Sequence, residues 1–114
     1  MKKVKILYSK EAKAVIEYIG NNSLFSKLDL SMHKAIQRKL EILSENPFAG
    51  ENIHKKLIPQ KYKIQGVTNL YRLELPNFWR ILYTIKDNKI EILAIILEVV
   101  NHKEYNKLFK YRKK

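Results

Sequence analysis

The sequence contains no cysteine and only three glycines and three prolines. The missing cysteine excludes disulfides, thiol nucleophiles and metal sites with cysteine ligands. So few glycines and prolines, together with 46% hydrophobic residues, are typical of a globular chain rather than a disordered one. A chain of 114 residues is expected to form a single domain, residues 1–114, with its own hydrophobic core.

Long hydrophobic runs are also missing. The longest, ILAIILEVV, is interrupted by Glu98 and is far too short to span a membrane. The N-terminal MKKVKILYSKEAK has too short an apolar stretch for a secretory signal. The three histidines, at positions 33, 54 and 102, lack the spacing of metal ligands. We therefore expect a cytoplasmic protein with no metal, no other cofactor and no membrane contact.

Negative charge is scarce. Lysine and arginine number 23 against 11 acidic residues, which gives a net charge of +12. The segments 54–63 and 102–114 carry +4 and +5, so they hold 9 of those 12 charges. Such an excess attracts polyanions, of which nucleic acid is the commonest in a cytoplasm. The pattern predicts contacts to RNA through six lysines in these segments: Lys55, Lys56, Lys61, Lys63, Lys103 and Lys107.

The N-terminal half predicts a strand and two helices. KKVKILY alternates cationic and apolar residues, which predicts a short strand with Val4, Ile6 and Tyr8 facing the core. Ser9 is expected to cap a helix that ends at residues 20–22. Apolar residues at helical spacing predict a second helix within 24–45, which could be capped by serine 23, serine 26 or aspartate 29. Residues 47–66 show little periodicity and are expected to form a basic loop.

The next two strands are predicted by alternation in VTNLYRLEL and FWRILYTIK. A three-residue loop between them would pair Glu74 with Arg80, and Arg72 would share their face, opposite the core. KIEILAIILEVV predicts a third strand that is apolar on both faces and therefore covered twice, by the helical hairpin and by a C-terminal helix containing Tyr105. Seven residues are expected to be buried: Trp79, Ile81, Tyr83, Leu73, Ile92, Leu40 and Ile36.

The ordered set of ENPFAG, YRLEL, FWRILYTIKDN and NHKEY resembles the RelE/ParE superfamily of toxins from type II toxin–antitoxin systems, over nearly the whole chain. The resemblance implies a small α+β fold with a twisted, mainly antiparallel sheet, an N-terminal helical hairpin on one face and a short C-terminal helix. It also implies an antitoxin partner in a hetero-oligomer. For the RelE branch it implies cleavage of mRNA on the ribosome, which inhibits translation, whereas the ParE branch targets DNA gyrase.

The resemblance also implies roles for individual residues. Arg80 matches an arginine that resembles a transition-state stabiliser, and Arg72 matches a basic position on the preceding strand. His102 and Lys103 match a basic pair that includes the proton donor, and Tyr105 falls near a C-terminal tyrosine position, as does phenylalanine 109. Glu74 departs from the pattern, because RelE-like enzymes tend to carry a second cation there.

RNA cleavage without a metal needs a base for the 2′-OH, donors for the charged phosphorane and an acid for the leaving 5′-oxygen. Guanidinium groups suit the second task, so Arg72 and Arg80 are candidates. His102 has the chemistry of an acid or a base near neutrality. Glu74 is either the base or an ion-pair partner, and Tyr105 either stacks on a base or orients the phosphate. Two classes stay open: an endoribonuclease, and a binding protein without activity, directed at gyrase or inactive.

Overall fold

The computed structural model describes residues 2–110, so residues 111–114 of the basic tail, which were expected to contact RNA, lie outside the described residues. Within residues 2–110, no helix is long and apolar enough to cross a membrane. Two short 3₁₀ turns, Lys55–Leu57 and Pro76–Phe78, interrupt the connections. The helices and strands are β1 (Lys3–Tyr8), α1 (Lys10–Asn22), α2 (Lys27–Glu45), β2 (Glu51–Ile53), α3 (Gln60–Ile64), β3 (Leu70–Glu74), β4 (Arg80–Asp87), β5 (Glu91–Val100) and α4 (His102–Phe109).

The five strands form one sheet in the order β1-β5-β4-β3-β2. β1 runs parallel to β5, and the other neighbours are antiparallel, so the predicted α+β fold with a mainly antiparallel sheet is confirmed. Glu74 pairs with Arg80 in the register between β3 and β4, as the three-residue loop predicted. Arg72 pairs with Leu82, which places all three polar side chains on one face of the sheet.

The helical hairpin of α1 and α2 covers the opposite face. Ser9 caps α1 by accepting a hydrogen bond from the Ala12 amide at 3.0 Å, and its hydroxyl donates to the Leu97 carbonyl at 2.6 Å. Ser26 caps α2 by accepting from the Asp29 amide at 3.2 Å. The two caps fix where each helix begins, and apolar side chains of both helices then pack on the inner residues of β4 and β5: Ala12, Ile19, Met32, Ile36, Leu43, Ile81, Tyr83, Ala94 and Ile96.

A second apolar cluster lies on the other face, under α3 and α4. Tyr62 from α3 and Tyr105 from α4, each 2% exposed, pack with Leu82 and Leu97. β5 is therefore covered on both faces, as its continuous apolar run predicted. The register between β4 and β5 shifts by one residue at Leu97, because Tyr83 pairs with Ile96 whereas Leu82 pairs with Glu98. This bulge turns the last residues of β5 so that Glu98 shares the face of Arg80.

Three expectations from the sequence were wrong or only partly right. Residues 47–66 are not simply a loop, because they contain β2 and α3, and Ile53, Ile58 and Tyr62 are buried. Elements of three and five residues are too short to show a period. Tyr8 is 43% exposed, because it ends the edge strand β1. Among the residues expected to be buried, Ile36, Leu73, Ile81 and Tyr83 are buried, whereas Leu40, Trp79 and Ile92 are only partly buried against the core.

Candidate functional site

The two arginines and Glu74 form a cluster on the face opposite the helical hairpin. The Nε of Arg72 lies 3.2 Å from one Glu74 oxygen, and the Nε of Arg80 lies 3.5 Å from the other. Both Nε atoms are buried and lie at ion-pair distance without hydrogen-bond geometry. One carboxylate thus sits between two guanidinium groups, and its own side chain remains 57% exposed. Glu74 aligns both arginines where β3 ends and β4 begins.

Tyr105 brings α4 onto this cluster. Its hydroxyl accepts a hydrogen bond from Arg72 Nη1 at 2.5 Å, and the Arg80 guanidinium carbon lies 4.2 Å from the ring centroid. The ring also contacts Phe109, with 4.5 Å between centroids. Because Tyr105 is 2% exposed, it holds the two arginines in place and presents no open ring face to a nucleobase. It can orient a phosphate only through the arginines.

His102 is the first residue of α4 and touches Arg80. The distance between Arg80 Nη1 and His102 Nδ1 is 3.1 Å. A guanidinium can only donate, so Nδ1 accepts and the remaining ring proton of a neutral imidazole is on Nε2. That nitrogen lies 3.2 Å from Asn106 Nδ2; because two donors cannot bond each other, the amide accepts this bond once it is flipped so that its oxygen takes that position. The imidazole is therefore held at both nitrogens, by Arg80 on one side and by Asn106 on the other.

A capping box places His102 at this position. The Asn101 side chain accepts from the Glu104 amide at 2.8 Å, and the Glu104 carboxylate accepts from the Asn101 amide at 3.0 Å. This reciprocal pair starts α4 directly after β5. The sequence signal, Asn-x-x-Glu in NHKE, was available but was not used to place the helix.

Arg72 differs from Arg80 in how its donors are used. Each of its three nitrogens faces a protein group: Tyr105 at Nη1, Glu51 at Nη2 and Glu74 at Nε. Burial opposes the charged form of Arg72, but the hydrogen bonds to Glu51 and Tyr105 outweigh burial and raise its pKa. Arg72 is therefore a fixed cation committed to the protein. Sequence reasoning missed Glu51, because β2 was expected to be loop.

The two basic segments meet in space, which the sequence alone left open. A groove with a volume of about 440 Å³ runs between residues 56–61 and the end of α4, and lysines 56, 61, 107 and 110 line it. A second cavity of about 190 Å³ shares Leu57 and Phe109 with this groove and reaches Arg72 and Tyr105. The groove and the cavity are therefore adjacent, and the cavity extends to Arg72. Lys55, Lys63 and Lys103 are exposed but do not line it.

Glu98 anchors one wall of the groove. Its carboxylate accepts a hydrogen bond from the Tyr62 hydroxyl and lies 3.0 Å from Lys61 Nζ. Burial, and then the bond to Glu98, raise the pKa of Tyr62. Glu98 faces this side because of the bulge at Leu97. This role could not be predicted, since a single carboxylate in an apolar strand does not reveal which way it points.

Comparison with known proteins agrees with this architecture. The family model described as "ParE toxin of type II toxin-antitoxin system, parDE" matches residues 6–98, which is most of the chain. The chain belongs to the ParE toxin family. A solved structure, the YoeB/ParE toxin from Agrobacterium tumefaciens, is similar with a TM-score of 0.58 and 16% identity, and the match covers 90% of this chain and 99% of that one. An identity this low shows a shared fold. No curated protein matches the sequence significantly.

The match confirms that the chain is a toxin of the RelE/ParE superfamily, a family that implies a cognate antitoxin. The matched range contains Arg72, Glu74 and Arg80 of the toxin. It ends at Glu98, before the capping box, His102 and Tyr105. The family match therefore includes the site residues on the strands, whereas those on α4 are assigned from the geometry alone.

Proposed function

We propose that the toxin is an endoribonuclease that cleaves mRNA on the ribosome, by attack of the 2′-OH on the adjacent phosphate without a metal ion, and so inhibits translation in the cytoplasm. The observation that carries this proposal is the contact between Arg80 Nη1 and His102 Nδ1 at 3.1 Å. It joins a phosphate-binding group to a proton-transfer group. These are the two kinds of group that the reaction needs.

The contact suggests how a substrate activates the site. Arg80 Nη1 bonds two neutral acceptors, the Phe78 carbonyl at 3.1 Å and His102 Nδ1. A phosphate oxygen is a stronger acceptor, because it carries negative charge and a phosphate can accept two parallel N–H bonds from one guanidinium group. A bound phosphate would therefore draw Arg80 away from His102 and free Nδ1. His102 then has a lone pair available for a proton.

The chemical step balances with these groups. The bond between O2′ and phosphorus forms, the bond between phosphorus and O5′ breaks, and the products are a 2′,3′-cyclic phosphate and a 5′-OH. The freed Nδ1 of His102 takes the proton from O2′, and the imidazolium so formed gives one proton to O5′, so the histidine ends the step in the form in which it began; Arg80 stabilises the phosphorane. Glu74 lies between Arg72 and Arg80. Those two ion pairs favour the role of Glu74 as an aligning residue over that of a base.

The basic groove supports a polyanionic substrate. Lysines 56, 61, 107 and 110 line the groove, and the adjacent cavity reaches Arg72. Their ammonium groups can bind phosphates in any sequence context, which suits a protein that acts on many messages. Lys55, Lys63 and Lys103 lie outside the groove and would contribute only through the general field.

A second candidate is a binding protein directed at DNA gyrase. The matched family model is that of the ParE toxins, and the match ends before His102. All three nitrogens of Arg72 also face protein groups, which leaves the guanidinium less able to bind a phosphate. In this case the arginine cluster would stabilise the fold and the groove would bind a protein or DNA surface.

The experiment is single-turnover cleavage of mRNA on programmed ribosomes, run beside a gyrase supercoiling assay. We expect Arg80→Ala to lower the cleavage rate by about 10²–10³-fold, the usual effect of losing one such donor. Arg80→Lys should recover only part of the rate, because an ammonium keeps the charge without the planar fork. His102→Ala should cost about 10²–10⁴-fold. The matched control is Arg38→Ala, an exposed arginine on α2, which should cleave normally.

Each result separates the candidates. A wild-type toxin that cuts no message but inhibits supercoiling would refute the ribonuclease and support the gyrase-directed protein. Normal cleavage by Arg80→Ala would leave the activity standing and refute the site.

A further inference from the structure

Phe78 lies in the turn between β3 and β4 and is 67% exposed. Its φ is 63°, and that of the preceding Asn77 is 58°, so both residues are in the left-handed region. Asparagine tolerates this region, but a bulky side chain there is an outlier. Burial does not compensate for the strain, because most of the residue faces solvent. Strain at an exposed residue is the kind of observation from which function is inferred.

The position of Phe78 connects it to the site. Its carbonyl accepts the hydrogen bond from Arg80 Nη1 at 3.1 Å, and its ring centroid lies 5.6 Å from that of His102. Tyr105, the other aromatic ring beside Arg80, is 2% exposed. At this end of the cluster, Phe78 is thus the aromatic residue whose ring is largely open to solvent.

We propose that Phe78 is a nucleobase-binding residue, whose ring stacks on a base of the RNA next to the phosphate held by Arg80. The inference rests on the proposed ribonuclease function and adds to it the contact that places the scissile phosphate. Every base has an aromatic face, so a stacking residue tolerates sequence while it fixes distance. The left-handed backbone at Phe78 directs its carbonyl to Arg80 and leaves the ring outside, so one residue contacts the guanidinium and also receives the base.

The test uses mRNA with 2-aminopurine beside the cleavage position, on programmed ribosomes. A 2′-deoxy sugar at that position prevents cleavage, so binding is measured apart from chemistry. Stacking quenches the fluorescence of 2-aminopurine; we expect the wild type and Phe78→Tyr to quench it and Phe78→Ala not to. With cleavable mRNA, Phe78→Ala should raise KM by roughly 5- to 150-fold, the range that loss of base–aromatic stacking gives, and change kcat less. Phe25→Ala is the matched control, because Phe25 is 85% exposed and lies at the turn between α1 and α2.

A further variant separates stacking from a structural role. Phe78→Gly relieves the left-handed strain, so it should keep or raise Tm while it loses the quench. Lower Tm in both Phe78→Gly and Phe78→Ala, with activity lost in proportion, would show a structural residue and overturn the proposal. Unchanged quench and KM in Phe78→Ala, with an active wild type, would refute stacking but leave the ribonuclease. A wild type that neither cleaves nor quenches would overturn both.

Discussion

Gly50 offers the sharpest test of the packing that supports the site. A Cβ at this position would lie 2.6 Å from the Tyr83 hydroxyl, 2.8 Å from Tyr83 Cε1 and 2.9 Å from the Arg72 carbonyl oxygen. The carbonyl belongs to β3 and cannot recede without disturbing the pairing of Glu51 with Arg72. Tyr83 is fully buried and stacks on Tyr71 with 5.3 Å between centroids. Gly50→Ala must therefore displace the backbone.

The cost has two parts. Overpacking of a well-packed region typically costs about 1–3 kcal/mol. The Tyr83 hydroxyl also accepts from the Gly50 amide at 2.9 Å and donates to the Pro47 carbonyl at 2.8 Å. Loss or lengthening of these bonds adds about 0.5–1.5 kcal/mol each. We expect Gly50→Ala to lower the free energy of unfolding by about 2–6 kcal/mol, a large share of the ~5–15 kcal/mol of a typical domain.

Urea unfolding followed by the fluorescence of Trp79, the only tryptophan, measures this change. The midpoint should fall while the slope stays constant, which marks a change in stability alone. Gly20→Ala is the matched control: its Cβ would lie 3.4 Å from His33 Nδ1, an ordinary contact, within α1. Alanine there should stabilise by roughly 0.5–1 kcal/mol. A Gly50→Ala protein within about 0.5 kcal/mol of wild type, the range of a neutral surface change, would refute the packing argument.

Two further predictions concern charge and pH. Changing three lysines that line the groove, at positions 56, 61 and 107, to glutamine should reduce the slope of log affinity for RNA against log salt concentration by about 2, at roughly 0.7 per phosphate contact. The control changes the exposed lysines 5, 10 and 34 to glutamine and should reduce this slope less. Equal slopes in the two triple variants would show that the groove is not the RNA path. Burial raises the pKa of Tyr83 to about 12 from its ordinary value of 10.0. The folded state therefore holds this proton to a higher pH than the unfolded state, and the stability contributed by the neutral hydroxyl, present below pH 10, is lost as the pH rises to 12. Between pH 9 and pH 11.5 the free energy of unfolding should fall less in Tyr83→Phe than in wild type, and an equal fall would contradict the assignment.

The strands carrying the arginines could be predicted from the sequence because their signals are local and strong. Alternation in YRLEL and FWRILY fixes which side chains share a face, and a three-residue connection fixes the register. The pairing of Glu74 with Arg80 follows from these two facts alone. Most of the core residues expected on the opposite face follow by the same logic.

The rest of the site depends on features without a local period. The bulge at Leu97 changes the facing of Glu98, and β2 is three residues long, so neither the groove wall nor Glu51 could be foreseen. The burial of Tyr105 depends on tertiary packing, because it follows from how α4 docks on the sheet, and a local sequence pattern does not show it. The capping box at Asn101 is the exception, since its signature was visible in the sequence.

The two arginines differ in the hydrogen-bond acceptors that surround their guanidinium groups. Arg72 has a protein partner at each nitrogen and holds Tyr105, whose ring lies against Arg80. Arg80 Nη1 instead bonds two neutral acceptors, which a phosphate would displace in the proposed ribonuclease. The cluster therefore contains one committed guanidinium that positions a second, exchangeable one. The proposed ribonuclease would need that exchange, because it would free His102 Nδ1 for proton transfer, whereas a binding protein could keep the resting contact intact.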